Sequence, residues 1–132
     1  MSSEVYLKEI IVQEGDIDQL NHVNNVTYLK WVQEIAGEHW YSKNLKAIDE
    51  NYYWVVIDHY IKYSGQAFLN ETIIAKTFVE NMNGVKSLRN VSFYKEDKLI
   101  VEAKTNWCFM DAKRNRPTRI PEEISKLFRS DK

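Results

Sequence analysis

The chain has little cysteine, proline or glycine: its 132 residues include 1 Cys, 2 Pro and 4 Gly. Because Cys108 is alone, an internal disulfide is excluded, which is typical of a protein from a reducing compartment. The N-terminal residues lack the basic, apolar and small-residue segments of a secretory signal, and no apolar run is long enough to span a membrane. We therefore expect a cytoplasmic protein without a membrane partner.

An excess of charge of one sign is also missing. Lys and Arg total 18 against 19 Asp and Glu, and the charges are scattered along the chain. Nucleic acid as the main partner is disfavoured, because phosphate binding needs a concentrated basic surface. The chain also lacks repeats and linker-like segments, and its length suits one domain with its own core. Residues 1–132 are therefore predicted to form a single domain.

The sequence has no recognisable metal or nucleotide motif either. His22, His39 and His59 are widely spaced and no cysteine pair accompanies them, which disfavours a zinc site. A P-loop, a dinucleotide fingerprint and a Gly-x-Ser-x-Gly elbow are absent. Cys108 lies between two aromatic residues in an alternating segment, where a lone cysteine is typical of packing. No metal or organic cofactor is expected.

One helix and five strands are predicted from the hydrophobic pattern. Over residues 25–41 apolar residues recur with helical spacing and cover most of the circumference, so this helix must be wrapped on several sides. Asn24 or Asn25 is a candidate N-cap. Extended segments are predicted at residues 4–13, 53–64, 72–82, 85–95 and 99–111, with Asn83-Gly84 as a two-residue hairpin loop and a short helix that starts at Pro121. The predicted fold class is α+β, with a curled antiparallel sheet of five strands wrapped around one long apolar helix.

Polar residues are concentrated just ahead of this helix, at Asp16, Asp18, Asn21, His22, Asn24 and Asn25. The unsatisfied N–H groups of a first helical turn favour developing negative charge, and a carboxylate beside them suits acyl transfer or hydrolysis. Asp and Asn before a helix are, however, most often caps and turn formers. The residues alone therefore leave a catalytic site and a structural turn equally open.

Three segments of the sequence resemble the hotdog-fold acyl thioesterases. The most specific is the run Asp18…His22-Val-Asn-Asn25-Val-Thr-Tyr28, and the looser ones are Tyr63-Ser-Gly-Gln-Ala67 and Arg116-Pro-Thr-Arg-Ile-Pro121. The similarity is greatest to the 4-hydroxybenzoyl-CoA thioesterase-like group, which includes bacterial long-chain acyl-CoA thioesterases and plant acyl-ACP thioesterases. The resemblance implies a hotdog fold, in agreement with the packing predicted above.

The same resemblance implies a catalytic set of Asp18, His22 and Asn25. Asp18 matches the family's catalytic carboxylate, which attacks the thioester carbonyl or activates a water molecule to do so. The Asn25 backbone N–H falls where the family polarises the carbonyl, and His22 matches a histidine that orients the water or the substrate. Asp16 matches a position that we interpret as structural. Further matches on the helix are interpreted as packing and anchoring positions: Tyr28, Trp31 and Glu34.

The implied function is hydrolysis of acyl-CoA to a free acid and CoA. Two alternatives stay open, namely an acyl-ACP thioesterase and a non-catalytic hotdog that binds acyl-CoA as a sensor or carrier. Leu20 stands where the plant acyl-ACP enzymes carry Asn, and Tyr63 and Ser64 fall where they carry a Glu-Cys pair, which favours acyl-CoA. Asp18 counts against the sensor, because a pure binder needs no carboxylate at the carbonyl. Hotdog relatives pair exposed sheet edges, so a homodimer or homotetramer with its site at the subunit interface is expected.

Overall fold

The architecture comes from a computed structural model, which describes residues 3–129. The strands are β1 (Tyr6–Ile11), β2 (Tyr52–Tyr63), β3 (Thr72–Asn83), β4 (Lys86–Lys95), β5 (Lys98–Asp111) and β6 (Arg116–Pro117). The helices are α1 (Asn25–Tyr41), α2 (Lys46–Asn51) and α3 (Glu122–Ser125), and 3₁₀ turns cover Glu14–Asp16 and Lys126–Phe128. Among these residues, no helix is both long and apolar enough to cross a membrane.

The five long strands form one antiparallel sheet in the order β1-β3-β4-β5-β2. The two-residue strand β6 pairs with Met110 and Asp111 of β5, past the point where β4 ends its pairing at Cys108. The predicted sheet of five antiparallel strands is confirmed, with β6 as a small addition. Strands β1 and β2 form the two edges of the sheet.

Helix α1 has the predicted bounds and packs one stripe of side chains against the sheet. Asn24 is its N-cap, because the Asn24 Oδ1 accepts the Val26 N–H at 2.9 Å. The buried residues recur at helical spacing: Tyr28, Trp31, Val32, Ile35, Ala36, His39 and Trp40. Val26 and Tyr41, on other sides of the helix, are exposed. The prediction of a helix wrapped on several sides therefore holds for one stripe only, which the sheet and the C-terminal residues Ile124 and Phe128 cover.

The hairpin between β3 and β4 is shifted by one residue from the prediction. Asn83 pairs with Lys86, so the two-residue loop is Gly84-Val85 rather than Asn83-Gly84. Gly84 has a φ of 65°, which suits the first position of a type II′ loop and which glycine adopts without strain. The glycine, rather than the Asn-Gly pair, therefore sets the position of this loop.

The core consists of two apolar clusters separated by a polar band. The first cluster joins the N-terminal half of α1 to the inner face of the sheet, through residues such as Tyr28, Val32, Val91 and Phe93. The second cluster holds Trp40, Val79, Phe109, Ile120, Ile124 and Phe128. Four elements each place one buried polar residue between the two clusters: His39 of α1, Thr77 of β3, Arg89 of β4 and Thr105 of β5. We call these four residues the polar band.

Candidate active site

The segment between β1 and α1 is a compact turn that is built by its own polar residues. Asp18 N–H donates to His22 O and Asn21 N–H donates to Asp18 O, both at 3.0 Å. Asn21 has a φ of 66°, a left-handed conformation that Asn tolerates better than most residues. Val23 N–H then donates to Ala67 O at 2.9 Å, which ties the turn to the segment after β2. These bonds hold Asp18 and His22 at the start of α1.

The two carboxylate oxygens of Asp18 have different surroundings. Oδ1 accepts the Leu20 N–H at 2.9 Å, which is the ordinary turn-forming role of an aspartate. Oδ2 lies 3.8 Å from His22 Nδ1, and that ring nitrogen is also 3.4 Å from Val23 O. The Asp18 side chain is 29% exposed and the His22 side chain 19% exposed, so both are accessible. One oxygen of Asp18 holds the turn, while the other lies beside the His22 ring.

A cavity of about 380 Å³, here called the Asn25 cavity, lies at the N-terminus of α1. Its lining is His22, Val23, Asn25, Tyr28, Tyr63, Ser64, Gly65 and Gln66. Within residues 3–129 no protein acceptor receives the Asn25 N–H, because the N-cap of Asn24 serves Val26 instead. The cavity therefore has a free backbone donor at the positive end of the helix dipole, where negative charge on a substrate oxygen is stabilised.

Two of the three predicted catalytic residues share this cavity. His22 and Asn25 both line it, whereas Asp18 is outside the lining and lies beside His22. A catalytic role for Asp18 stays a prediction. The residues interpreted as turn formers and caps have those roles in the structure: Asp16, Asn21 and Asn24.

The other wall of the Asn25 cavity is formed by the end of β2. The Tyr63 hydroxyl lies 3.5 Å from Asn25 O, and its ring packs edge-on against Tyr28 at 5.9 Å between centroids. Burial raises the pKa of Tyr28 to about 12, so this phenol stays protonated at neutral pH. Gly65 N–H donates to Ile100 O at 3.0 Å. A Cβ at Gly65 would lie 2.8 Å from Ile100 Cγ2, so a glycine is needed for this wall to approach the sheet.

A second and larger cavity, of about 750 Å³, opens beside the C-terminal half of α1 and is here called the Arg89 cavity. Its walls combine aromatic side chains with polar groups on the inner face of the sheet, among them Trp40, Tyr52, Trp54, Ser87, Arg89 and Trp107. None of these residues is predicted as a site residue from the sequence, because they come from four elements that are distant along the chain.

Arg89 is only 5% exposed and is held within the polar band. Its Nη1 donates to His39 Nδ1 and to Thr77 Oγ1, both at 3.0 Å, and His39 Nε2 lies 2.9 Å from Glu4 Oε1. Because an arginine nitrogen can only donate, His39 Nδ1 must accept, and Nε2 carries the proton that is donated to Glu4. Burial lowers the pKa of His39 to about 4 and that of Arg89 to about 10. At neutral pH the imidazole is therefore neutral and the guanidinium is charged.

The histidines have separate partners in the structure. His59 Nδ1 lies 2.7 Å from Thr105 Oγ1, far along the chain from His22 and from His39. In the part of the chain that the structure describes, no three His, Cys, Asp or Glu side chains are arranged to hold a metal ion. Cys108 is buried, as a packing residue would be.

Comparison with known proteins identifies the family. A family profile described as the thioesterase-like superfamily matches residues 12–128. No curated protein sequence matches the chain. Among solved structures, a Staphylococcus aureus protein in complex with CoA superposes with a TM-score of 0.85 and 17% identity, over 96% of this chain and 82% of that one. A predicted thioesterase from Bacillus stearothermophilus has a TM-score of 0.84 and 16% identity, over 95% of this chain and 94% of that one.

A further similar structure is the 1,4-dihydroxy-2-naphthoyl-CoA thioesterase from Synechocystis, with a TM-score of 0.81 and 14% identity, over 93% of this chain and 94% of that one. At such identities the superpositions establish the fold, while the profile, which spans most of the chain, establishes the family. The chain therefore belongs to the thioesterase-like superfamily and is a thioester hydrolase with the hotdog fold.

Proposed function

We propose that the protein hydrolyses acyl-CoA to a free acid and CoA, with Asp18, His22 and Asn25 as its catalytic residues. The observation that carries this proposal is the geometry at the N-terminus of α1. Asn25 and His22 line one cavity, the Asn25 N–H has no acceptor among residues 3–129, and Asp18 Oδ2 lies 3.8 Å from His22 Nδ1. A thioester carbonyl bound at the Asn25 N–H would have its developing negative charge stabilised by the helix dipole.

The reaction needs only one carboxylate and one oxyanion donor. Asp18 either takes a proton from a water molecule that attacks the carbonyl carbon, or attacks that carbon itself to form an anhydride that water then hydrolyses. In both routes the C–S bond breaks and CoA leaves as a thiolate, which takes up a proton. His22 orients the water or the substrate. The acid product contains the carbonyl carbon and oxygen of the thioester, and the net addition of water supplies its other oxygen.

Similar structures favour CoA as the carrier. The Staphylococcus aureus protein was solved in complex with CoA, and the Synechocystis enzyme is named for a CoA thioester. Both names belong to proteins with low sequence identity to this chain, so they support the carrier and not the acyl group. The shape and charge of the Arg89 cavity are the better guide to the acyl group.

We also propose that the working form is a homodimer or homotetramer joined along β2. This edge strand exposes several apolar side chains: Val55, Ile57, Tyr60 and Tyr63. When two such edges pair antiparallel about a two-fold axis, the first half of β2 in one copy lies beside the second half in the other. The Arg89 cavity borders the start of β2 and the Asn25 cavity borders its end. Pairing would therefore join the Arg89 cavity of one copy to the Asn25 cavity of the other.

The test is thiol release from a panel of short-chain, long-chain and aromatic acyl-CoAs, with acyl-ACP as a comparison. We expect at least one acyl-CoA to be cleaved faster than any acyl-ACP of the same acyl group. If acyl-CoA binds by equilibrium dialysis but no member of the panel releases thiol, the protein is a sensor or carrier and the proposal fails.

A further inference from the structure

We propose that the Arg89 cavity binds an organic carboxylate, which in the acting enzyme is the far end of the acyl group. The assignment of this carboxylate to the acyl group rests on the proposed acyl-CoA thioesterase function, whereas carboxylate binding by the cavity does not. The substrate class is then a thioester whose acyl group carries a second carboxylate, with CoA at one end and an anion at the other.

Arg89 is a buried cation that lacks an anion. In the part of the chain that the structure describes, no Asp or Glu lies within ion-pair distance of its guanidinium. Nη1 is used by His39 and Thr77, whereas Nε and Nη2 have no acceptor among residues 3–129. A buried charge without an opposite charge is unfavourable, so an anion that reached the free nitrogens would be bound strongly.

Trp107 supplies a second donor without a partner in the same cavity. Its Nε1 is buried and has no hydrogen-bond partner among the described residues. The register places Ser87 opposite Trp107 and Arg89 opposite Thr105, so Ser87, Arg89 and Trp107 form one patch on the inner face of the sheet. A carboxylate has two oxygens and suits this patch, because the guanidinium and the indole can donate to it together.

The acidic side chains that line the cavity are already engaged. Each of the three has a partner: Glu34 pairs with Lys30, Glu38 with Lys8, and Asp49 accepts the Trp40 Nε1–H. They lie on α1 and α2, whereas Arg89 and Trp107 lie on the sheet. The donors of Arg89 and Trp107 and the three carboxylates therefore come from different elements around the cavity.

The position of Arg89 also suits the end of an acyl chain. Arg89 on β4 lies two strands from β2, a distance of about 10 Å. Aromatic side chains from β2 and α1, including Trp40 and Trp54, line the space between. Along α1 within one copy, by contrast, Asn25 and His39 are about 21 Å apart. A short acyl chain therefore reaches Arg89 from the β2 edge, where a second copy would place its Asn25 cavity.

Binding of adipate and of neutral adipamide, which have the same length, tests the anion site directly. Tryptophan fluorescence is a suitable signal, because Trp40, Trp54 and Trp107 line the cavity. We expect adipate to bind at least about tenfold more tightly than adipamide. Arg89→Met should lose this preference, and Trp107→Phe should weaken adipate binding several-fold. Arg114→Met removes an exposed arginine outside the cavity and should bind like the wild type.

Equal affinities for adipate and adipamide, or unchanged adipate binding in folded Arg89→Met, would overturn the inference and leave Arg89 a purely structural residue. Trp107→Phe keeps an aromatic ring and all charges, so it decides the question if Arg89→Met does not fold. In that case adipate binding equal to that of the wild type would overturn the inference.

Hydrolysis of adipyl-CoA and hexanoyl-CoA, which have six-carbon acyl groups, tests the assignment to the acyl end. In the wild type we expect a higher kcat/KM for adipyl-CoA than for hexanoyl-CoA. In Arg89→Met we expect the reverse order. If neither ester is cleaved and adipate still binds through Arg89, the proposed function fails and the anion site stands. If hexanoyl-CoA is cleaved and adipate does not bind, the proposed function stands and this inference fails.

Discussion

At the scale of the residue, Asp18 can be tested without losing the turn that it builds. In Asp18→Asn the amide oxygen can still accept the Leu20 N–H, but the side chain can serve neither as base nor as nucleophile. We expect the kcat/KM for acyl-CoA to fall by at least about 100-fold, with an unchanged melting temperature.

Asp16→Asn is the matched control for this variant. Asp16 Oδ2 accepts the Gln13 N–H at 2.9 Å, which an amide oxygen can also do, so we expect activity close to that of the wild type. Wild-type activity in Asp18→Asn would remove Asp18 from the mechanism.

His39 makes the stability of the fold depend on pH. Burial lowers the pKa of His39 to about 4, partly opposed by the hydrogen bond to Glu4 and reinforced by the charge of Arg89. Its ordinary pKa is 6.5, so between pH 6.5 and about 4 the unfolded chain binds a proton that the folded chain does not. The contribution of His39 to the free energy of unfolding is therefore fully present above pH 6.5. It is lost as the pH falls towards 4, and the loss is on the order of 3 kcal/mol.

Urea unfolding near pH 7 and near pH 4.5, for the wild type and His39→Gln, measures this contribution. A glutamine amide can accept from Arg89 and donate to Glu4, but it does not titrate. We expect the free energy of unfolding to fall less in the variant than in the wild type over this interval. Equal losses in the two proteins would show that His39 does not set the pH dependence.

At the scale of the element, Gly65 and Gly37 predict opposite effects of the same substitution. In Gly65→Ala the Cβ meets Ile100 Cγ2 at 2.8 Å, so either the loop or β5 must move, and we expect a loss of about 1–3 kcal/mol. In Gly37→Ala the Cβ lies within α1 and meets only Tyr41 Cε2 at 3.8 Å, so we expect a gain of roughly 0.5–1 kcal/mol.

The free energy of unfolding in urea gives the sign for each of the two variants. If both variants lost the same free energy of unfolding, the close approach to Ile100 would not explain why position 65 is a glycine. Because Gly65 also lines the Asn25 cavity, Gly65→Ala should lower acyl-CoA hydrolysis as well.

The long elements were predictable from the sequence because each has a clear period. Helix α1 has the predicted bounds, and β2 to β5 begin and end within one residue of the predictions. Strand β1 is shorter at both ends than residues 4–13, and a 3₁₀ turn follows it from Glu14. Helix α2 was not predicted, because it has six residues and Leu45 provides no side-chain cap.

The two parts of the site differ in how far the sequence reveals them. Asp18, His22 and Asn25 lie within eight residues of one another, so their run is visible as a motif. The link from Arg89 to His39 spans 50 residues and that from His39 to Glu4 spans 35, and no local pattern marks either one. Two-residue alternation places Arg89 on the same face of β4 as Val91 and Phe93, but an arginine at such a position is ordinarily exposed, and only the folded structure shows that its side chain is buried.

At the scale of the whole molecule, Ile57→Lys tests the interface along β2. Ile57 lies near the middle of β2 and is 46% exposed. If two β2 edges pair antiparallel over their full length, the middle residues of the two copies face each other, and the introduced ammonium groups would repel. We expect the variant to be a monomer by light scattering and to lose acyl-CoA hydrolysis.

Leu7→Lys is the control at the opposite edge, since Leu7 lies on β1 and is 58% exposed. We expect this variant to keep the oligomeric state of the wild type. The reverse pattern, with a monomer only for Leu7→Lys, would place the interface along β1.

The strand order has a consequence for how the chain is made. Among residues 3–129, β2 pairs with β5 alone, and residues 64–97 must be translated between them. At a translation rate of about 5–20 residues per second, roughly 2–7 s pass between the synthesis of β2 and that of β5. During this time the backbone donors and acceptors of β2 lack their partner strand. β1 waits in the same way for β3, and the apolar stripe of α1 waits for the sheet. We therefore expect a nascent chain arrested before Lys98 to be bound by chaperones, and a chain whose residues through Asp111 have all left the ribosome to be released from them.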